Sequence, residues 1–496
     1  MCASGEKHEQ STEKNVKNGS WSYEEAFELT GHGWYNYKVL IACSLISVAM
    51  ALDMFGFAIT VAAASCDLDL SISQIGILAG SPFAGLLFAY PWGYYADTRG
   101  RRRALLLSTA VGSLFGLLGS FSVNWQMMLV LKVIGCSFST ASFTLTITYL
   151  GESTREKNRG QYIFVMMSMN LATEFFSYGL AYLVLPLSFS LPMSLLAISF
   201  NSWRLFNIIL AAPLGIGALL MLSLEESPKF LSDKGEEDKA IEALKRIFIA
   251  NGGVEDDFPV ETLHSTCQVK EISFCGSMAQ QMKQLFMPPL LWRTMQLFYV
   301  ISLTCSINNA FVMWFPTMLD IVFKAIATES EEVVFCESIN EVSVPGGNAT
   351  ATCNGTLSEE TIFSGIVASL FFSIINLSVA RFASWRRLLL IIVLGVAGLS
   401  CVMIIVIKQP IASVIFFSLA QITAVGTGGI ASYFVDLYPT SCRSLAPSLG
   451  FMLGRLVSLS AVVLIGATVV NHCSAIFYTF AALAFSGCLV SVFLPL

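Results

Sequence analysis

Charge is what this chain of 496 residues has least of. Asp, Glu, Lys and Arg make up 12% of it, and hydrophobic residues 55%. A soluble domain carries about 25% charged residues, so the composition excludes an ordinary soluble protein and points to a chain embedded in lipid. The net charge of -6 leaves no basic domain, which excludes a nucleic-acid partner. Histidine is scarce and scattered, at His8, His32, His264 and His472. No H-E-x-x-H, C-x-x-C or glycine-rich phosphate loop occurs. No resident metal, no cofactor and no enzymatic activity are therefore expected, nor a pump driven by ATP. The opening "MCASGEKHEQSTEKNVKNGS" lacks the apolar core and cleavage site of a signal peptide, so residues 1–36 are expected to form a cytosolic segment.

What the chain has in place of charge is long apolar runs. A crossing helix takes about 20 such residues. Twelve stretches qualify, at 39–62, 74–96, 104–122, 125–150, 161–186, 203–224, 292–319, 361–381, 388–407, 411–434, 445–470 and 474–494. A soluble fold could not bury that many helices on all sides. Lys and Arg gather in alternate connections: Arg99, Arg101, Arg102 and Arg103, then Arg155, Lys157 and Arg159, then the long connection 225–290, then Arg381, Arg386, Arg387 and Arg443. Positive residues mark the cytosolic side. The reading is an all-α polytopic membrane protein of twelve transmembrane helices with both termini cytosolic. Its two six-helix halves, 37–224 and 291–496, are joined by a cytosolic linker, 225–290.

Within the linker, Ala240, Ile241, Leu244, Ile247 and Phe248 share one helical face, with Lys245 and Arg246 late and Gly252 placed to end the helix. The outer loop 320–360 carries the glycosylation acceptors Asn348-Ala-Thr and Asn354-Gly-Thr. Four cysteines fall on the outer side, Cys66, Cys336, Cys353 and Cys473. They allow three full pairings. Cys336 with Cys353 is the local favourite, closing a loop worth about 3 kcal/mol of chain entropy.

The chain also repeats itself. Glu152 precedes Arg159 after the fourth span as Asp436 precedes Arg443 after the tenth. Sliding the turn after the second span by the same offset lays Arg102 and Arg103 on Arg386 and Arg387, but Asp97 on Arg381. Two landmarks in one register indicate two related halves, with the second copy of the turn partly lost.

Three motifs carry a resemblance. Gly93-x-x-x-Asp97-x-x-Gly100-Arg101-Arg102 resembles the turn between spans two and three of the major facilitator superfamily. "EESPKFL" (225–231) and "VDLYPTSCRS" (435–444) resemble motifs of its sugar-porter and organic-ion branches. "YEEAFELTGHGWYNYKVL" (23–40), Asp53 and the outer loop look most like the synaptic vesicle glycoprotein 2 family, although Lys132 and Tyr433 stand where that family typically has Arg and Trp. The resemblance implies alternating access, with spans one, four, seven and ten lining a cavity. It further implies an inner-face network of Gly93, Asp97, Gly100, Arg101, Arg102, Glu152, Arg159, Asp436 and Arg443 that latches the halves while the cavity faces outward. The glycines would permit close helix approach and the turn.

Charged groups inside spans are functional candidates, because each costs roughly 2.5–3.5 kcal/mol to insert. Asp53, Lys132, Glu174 and Arg455 are the four. At about 1.5 Å per residue, the first three share one level, and the cavity geometry lets Asp53 meet Lys132. Asp53 or Glu174 binds a proton or substrate cation on this reading, with Lys132 as competing partner; on the structural reading the pair only sets helix packing. Asn308, Asn309, Trp314 and Tyr433 are the candidate substrate contacts. The expected function is secondary active or facilitative transport of a small organic solute, an organic ion or sugar-like molecule. H+ or Na+ is the candidate coupling ion, and the setting is the plasma membrane or a vesicle membrane. The alternative is a transporter-derived receptor or scaffold.

Overall fold

The computed structural model describes residues 20–85, 89–194, 197–260, 262–264, 283, 285–288, 290–328, 335–341, 356–379, 385–438 and 445–495. Asn348, Cys353, Asn354, Arg381 and Arg443 lie outside these residues, as does the side chain of Asp436.

Helices follow the expected spans closely. The first span is one helix, Trp34–Ala64; the second runs as Ile72–Gly85 and Ala89–Arg99, the third as Arg101–Gly119. The fourth comprises Trp125–Ser139 and Ala141–Glu152, the fifth Glu156–Leu171 and Thr173–Val184, and the sixth Ser202–Leu222. The seventh is Leu290–Thr328, the eighth Glu359–Val379 and the ninth Arg386–Val406. The tenth is Pro410–Leu419 and Thr423–Leu437, joined by a single tight turn at Ala420–Ile422. The eleventh and twelfth form Leu445–Val492, broken only where His472 leaves helical geometry at φ -138°. Eight of the described helices, taken singly or joined across a bend, are long and apolar enough to cross a membrane. Large side chains stand bare along them, among them Leu183, Leu219, Phe363 and Leu489. Such surface belongs against lipid tails rather than water.

At two of the breaks a threonine side chain bonds back into the preceding turn. Thr140 donates its hydroxyl to the carbonyl of Cys136 (2.6 Å), and Thr173 donates to Asn170 (2.6 Å). A threonine bonding back to the preceding turn bends the helix at that point.

Before the first span, Ser22 caps a short helix, Tyr23–Leu29, in a reciprocal capping box with Glu25. The linker helix is present as Glu237–Ala250, and its buried face is Ala240, Ala243, Leu244 and Ile247. It packs into one apolar cluster with Phe27, Tyr149 and Met221. Two small sheets complete the structure: Ser20–Ser22 pairs in parallel with Thr262–His264, and Leu191–Met193 pairs antiparallel with Ile198–Phe200.

We call inner the side carrying the arginine-rich turn at Arg101, and outer the opposite side. The core is distributed unevenly between them. On the outer side a single apolar cluster draws residues from both halves, including Phe57, Phe206, Trp314 and Phe480. On the inner side each half has its own cluster, one around Tyr149 and Leu244, the other around Phe298 and Phe434. The seam between halves is made by the outer part of the second span against the eleventh, by Thr173–Val184 against the eighth, and by the first span against the seventh. At the first contact, a Cβ on Gly76 would sit 2.9 Å from the Cα of Gly466, so only glycine fits there. At the second, Gly365 lies against the ring of Tyr178. The halves are therefore joined outside and parted inside, an inward-facing arrangement.

The favoured disulfide was wrong. Cys336 is bonded to Cys473, with Cα atoms 5.7 Å apart. The reason is the short helix Phe335–Glu341, which lies over the outer ends of the tenth and twelfth spans: Phe335 stacks on Phe417 (5.6 Å) and meets Phe477 (5.6 Å). That packing delivers Cys336 to the turn between the last two spans. Cys66 is also disulfide-bonded, to a partner outside the described residues.

Candidate substrate pathway and inner-face network

Asp53 and Lys132 meet inside the N-terminal half. The Lys132 ammonium donates to Asp53 Oδ1 at 2.7 Å and to the Asp53 carbonyl at 2.5 Å, and lies 4.3 Å from the centre of the Phe57 ring. Asp53 Oδ2 accepts only the long contact from the Cys136 thiol, 3.8 Å. Both charged side chains are buried, at 4% and 6% exposure, so water screens neither. Nearby, the third and sixth spans approach closely at a glycine: a Cβ on Gly116 would come within 2.8 Å of Ala211 Cβ.

Glu174 is placed differently. It lines a cavity at the seam between the halves, with Ser177 and Tyr178 from its own helix, Phe315 from the seventh span, Ser369 from the eighth and Gln421 from the tenth. Glu174 is the one charged group in that lining, and it has no ion pair or hydrogen bond among the described residues. The Gln421 side chain is 5% exposed, and its Nε2 has no partner among the described residues. A buried amide without a protein partner is open to a bound water or solute. Sequence reasoning found Glu174 by its charge but missed Gln421; the signal available was an amide in an otherwise apolar span.

The remaining candidates separate. Asn309 donates to Ser458 Oγ (3.0 Å) and accepts from Asn308 (3.3 Å), whose own Oδ1 is buried without a partner. Arg455, half-buried one turn from Ser458, has no hydrogen bond or ion pair among the described residues. These groups lie on the inner, parted side of the seventh and eleventh spans, next to the close contact of Gly454 with Cys305. Trp314 and Tyr433 do not join them. Trp314 is 1% exposed, donates to the Val462 carbonyl (3.1 Å) and packs against Gly76 and Gly466 in the outer seal. Tyr433 is fully buried at the inner end of its half, donating to the Pro495 carbonyl (2.8 Å) beneath the Arg386 guanidinium. Both are large and apolar enough that packing claims them.

The described inner-face motif residues of the first half assemble with one another. Arg101 pairs with Asp97 (3.1 Å) and Glu152 (3.2 Å), and Glu152 accepts from the Ser227 hydroxyl (2.6 Å). The start of the third span is capped by Glu226, which accepts from the backbone N–H groups of Arg102 (2.8 Å) and Arg103 (3.4 Å). A carboxylate there satisfies free donors and meets the positive end of the helix. Arg102 binds the carbonyls of Met221 and Leu222. Gly100 is required twice over: its φ is +110°, and a Cβ would collide with Glu226. Gly93, by contrast, has no neighbour within 4 Å of a Cβ position, so the close approach expected of it is absent in this arrangement. Arg159 pairs with Glu24 rather than with Glu152. Thus spans two, three, four and six are tied together, and these bonds do not reach the second half.

Comparison with known proteins agrees with this architecture. Residues 41–327 match the family model of the Major Facilitator Superfamily. Synaptic vesicle glycoprotein 2A of Homo sapiens is 28% identical over 261 residues, 50% of this chain and 35% of that protein. Synaptic vesicle glycoprotein 2C of Mus musculus is 26% identical over 258 residues, with the same coverage. The chain thus spans about a third of the length of these relatives. Among solved structures, a D-xylose-proton symporter superposes with TM-score 0.64 at 12% identity, covering 93% of this chain and 98% of that one. The inward open conformation of the xylose transporter XylE from E. coli gives 0.61 at 14% identity, covering 93% and 97%. The nucleoside transporter NupG gives 0.59 at 12% identity, covering 92% and 99%.

Proposed function

Because the chain belongs to the Major Facilitator Superfamily, a family of membrane transporters, we propose that it carries a small polar organic solute across the membrane by alternating access, coupled to protons. The observation that carries this reading is the cavity at the seam, where the unpaired carboxylate of Glu174 faces the orphaned amide of Gln421 across the two halves. Ligand groups placed on both sides of a moving interface bind the solute best when the halves close on it, which is the differential affinity that alternating access requires.

The solute reaches this cavity from the parted inner side, past Arg455, Asn308 and Asn309. Gln421, Ser177 and Ser369 supply hydrogen bonds, and Tyr178 and Phe315 supply apolar faces. A sugar-like or nucleoside-like molecule has the matching mixture of hydroxyls and flat apolar surface. Arg455 offers a cationic contact to a solute that carries negative charge. Glu174 binds the coupling proton: closing the halves removes its carboxylate from water, which is favourable only once it is neutral. A lone carboxylate suits H+ better than Na+, which needs several oxygens around it. Asp53 and Lys132, paired with each other, hold the first span against the fourth behind the cavity. Both termini face the cytosol, and the membrane is that of the cell surface or of a secretory vesicle. No observation among the described residues favours a scaffold without transport.

The test is uptake into proteoliposomes of a panel of sugars, nucleosides and organic ions, with and without an inward proton gradient. Uptake of one class, accelerated by the gradient, supports the reading. No uptake of any class by correctly inserted protein would leave the receptor reading standing.

A further inference from the structure

One strongly charged cleft adjoins the inner-face network but is not part of the substrate pathway. It lies at the inner end of the N-terminal half, between the arginine-rich turn and the linker helices, and its lining includes Arg99, Arg103, Phe230, Lys234 and Lys239. Its acids are all engaged. Glu226 caps the third span, Glu236 is held by Lys234 (2.8 Å) and Lys239 (2.9 Å), and Glu225 and Glu242 both pair with Arg246. The side chains of Arg99 and Arg103 are left without any partner among the described residues. The cleft therefore presents two free guanidinium groups beside the Phe230 ring.

Its position adds a second constraint. Arg103 lies on the same face of the third span as Leu107, Leu114 and Leu118, all exposed. The neighbouring sixth span exposes Leu219 and Leu222, and its end is bonded to Arg102. The cleft thus opens where a lipid-facing surface stops, at the level of the head groups. Planar guanidinium groups match phosphate oxygens in geometry and charge.

We propose that this cleft binds a phosphate monoester, on the head group of an inner-leaflet lipid or on a soluble compound, with Arg99 and Arg103 as its ligands. The lipid source rests on the orientation given above; the site itself does not.

The full-length protein in phosphatidylcholine nanodiscs is titrated with a short-chain phosphoinositide bisphosphate and, separately, with inositol trisphosphate and inorganic phosphate. Saturable binding is expected, weakened roughly 30-fold in the Arg99→Gln/Arg103→Gln double variant and about 5-fold in either single variant. Lys157→Gln, an exposed inner-side change outside the cleft, leaves it unaltered. Binding of the lipid alone identifies a head group, and binding of the soluble probes with the same arginine dependence identifies a soluble phosphate. The proposal is overturned if no probe saturates, if Lys157→Gln weakens binding as much, or if phosphatidylserine at matched charge binds equally well. Melting curves of the single variants confirm that they are folded.

Discussion

Replacing Lys132 with Met while keeping Asp53 strands a carboxylate in the N-terminal half. In the native arrangement that carboxylate takes a 2.7 Å bond from the ammonium, and its other oxygen has only a distant thiol. At 4% exposure no water replaces the lost partner. Removing one member of a buried ion pair costs about 3–5 kcal/mol, most of it the desolvation of the charge left behind. The change also removes the ammonium from the Phe57 ring, a contact worth about 1 kcal/mol. Replacing both members, Asp53→Asn with Lys132→Met, leaves no buried charge and recovers most of the loss. The assay is a double-mutant cycle on purified protein, read from denaturation midpoints in one detergent. The account predicts that the two single losses exceed the double loss by at least about 2 kcal/mol. If the single losses simply add, the two side chains are not an energetic unit and the reasoning fails.

Other predictions follow from the seam and the inner network. Gly466→Val places atoms where the second span already sits, so it opens the outer side, read as faster modification of a cysteine probe introduced beside Trp314. Asp97→Asn affects inner-face accessibility less than Glu226→Gln does, because Asp97 is exposed and among the described residues bonds only Arg101, while Glu226 caps a helix; equal effects would contradict the assignment. Cys473→Ser frees one thiol at Cys336, countable by mass after alkylation, and removes a crosslink closing a loop with separation 137, worth about 5 kcal/mol on the chain-entropy estimate. Glu236 has its carboxyl lowered to about 2 by hydrogen bonds from Lys234 and Lys239. Its contribution is fully present above the ordinary value of 4.5 and is lost progressively as pH falls from there through about 2. A side-chain titration with its midpoint near 4.5 would refute that.

The sequence was legible where a single physical demand dominates. Apolar length located the spans because lipid leaves a helix no other choice. Repeated landmarks revealed the two halves, and charge picked out Glu174 and the meeting of Asp53 with Lys132. Contacts made across long separations were not legible. Cys336 is near Cys353 in sequence, but the aromatic packing of Phe335 carries it to Cys473. Trp314 and Tyr433 lie on cavity-lining spans, yet which side of a helix faces the cavity depends on how the halves tilt, and both point into packed interior. Gln421 went unnoticed because one amide in an apolar span looks like packing until its lack of partners is seen. The capping role of Glu226 was hidden for the same reason: its helix is the third span, far from it in sequence.

The central claim is that Glu174 carries the coupling proton. Its most direct test is accumulation of the identified solute in proteoliposomes under an inward proton gradient, comparing the wild type with Glu174→Gln and with solute exchange at equal pH as the control. Glu174→Gln is expected to exchange solute still but no longer to concentrate it. Gradient-driven accumulation that survives Glu174→Gln unchanged would contradict it.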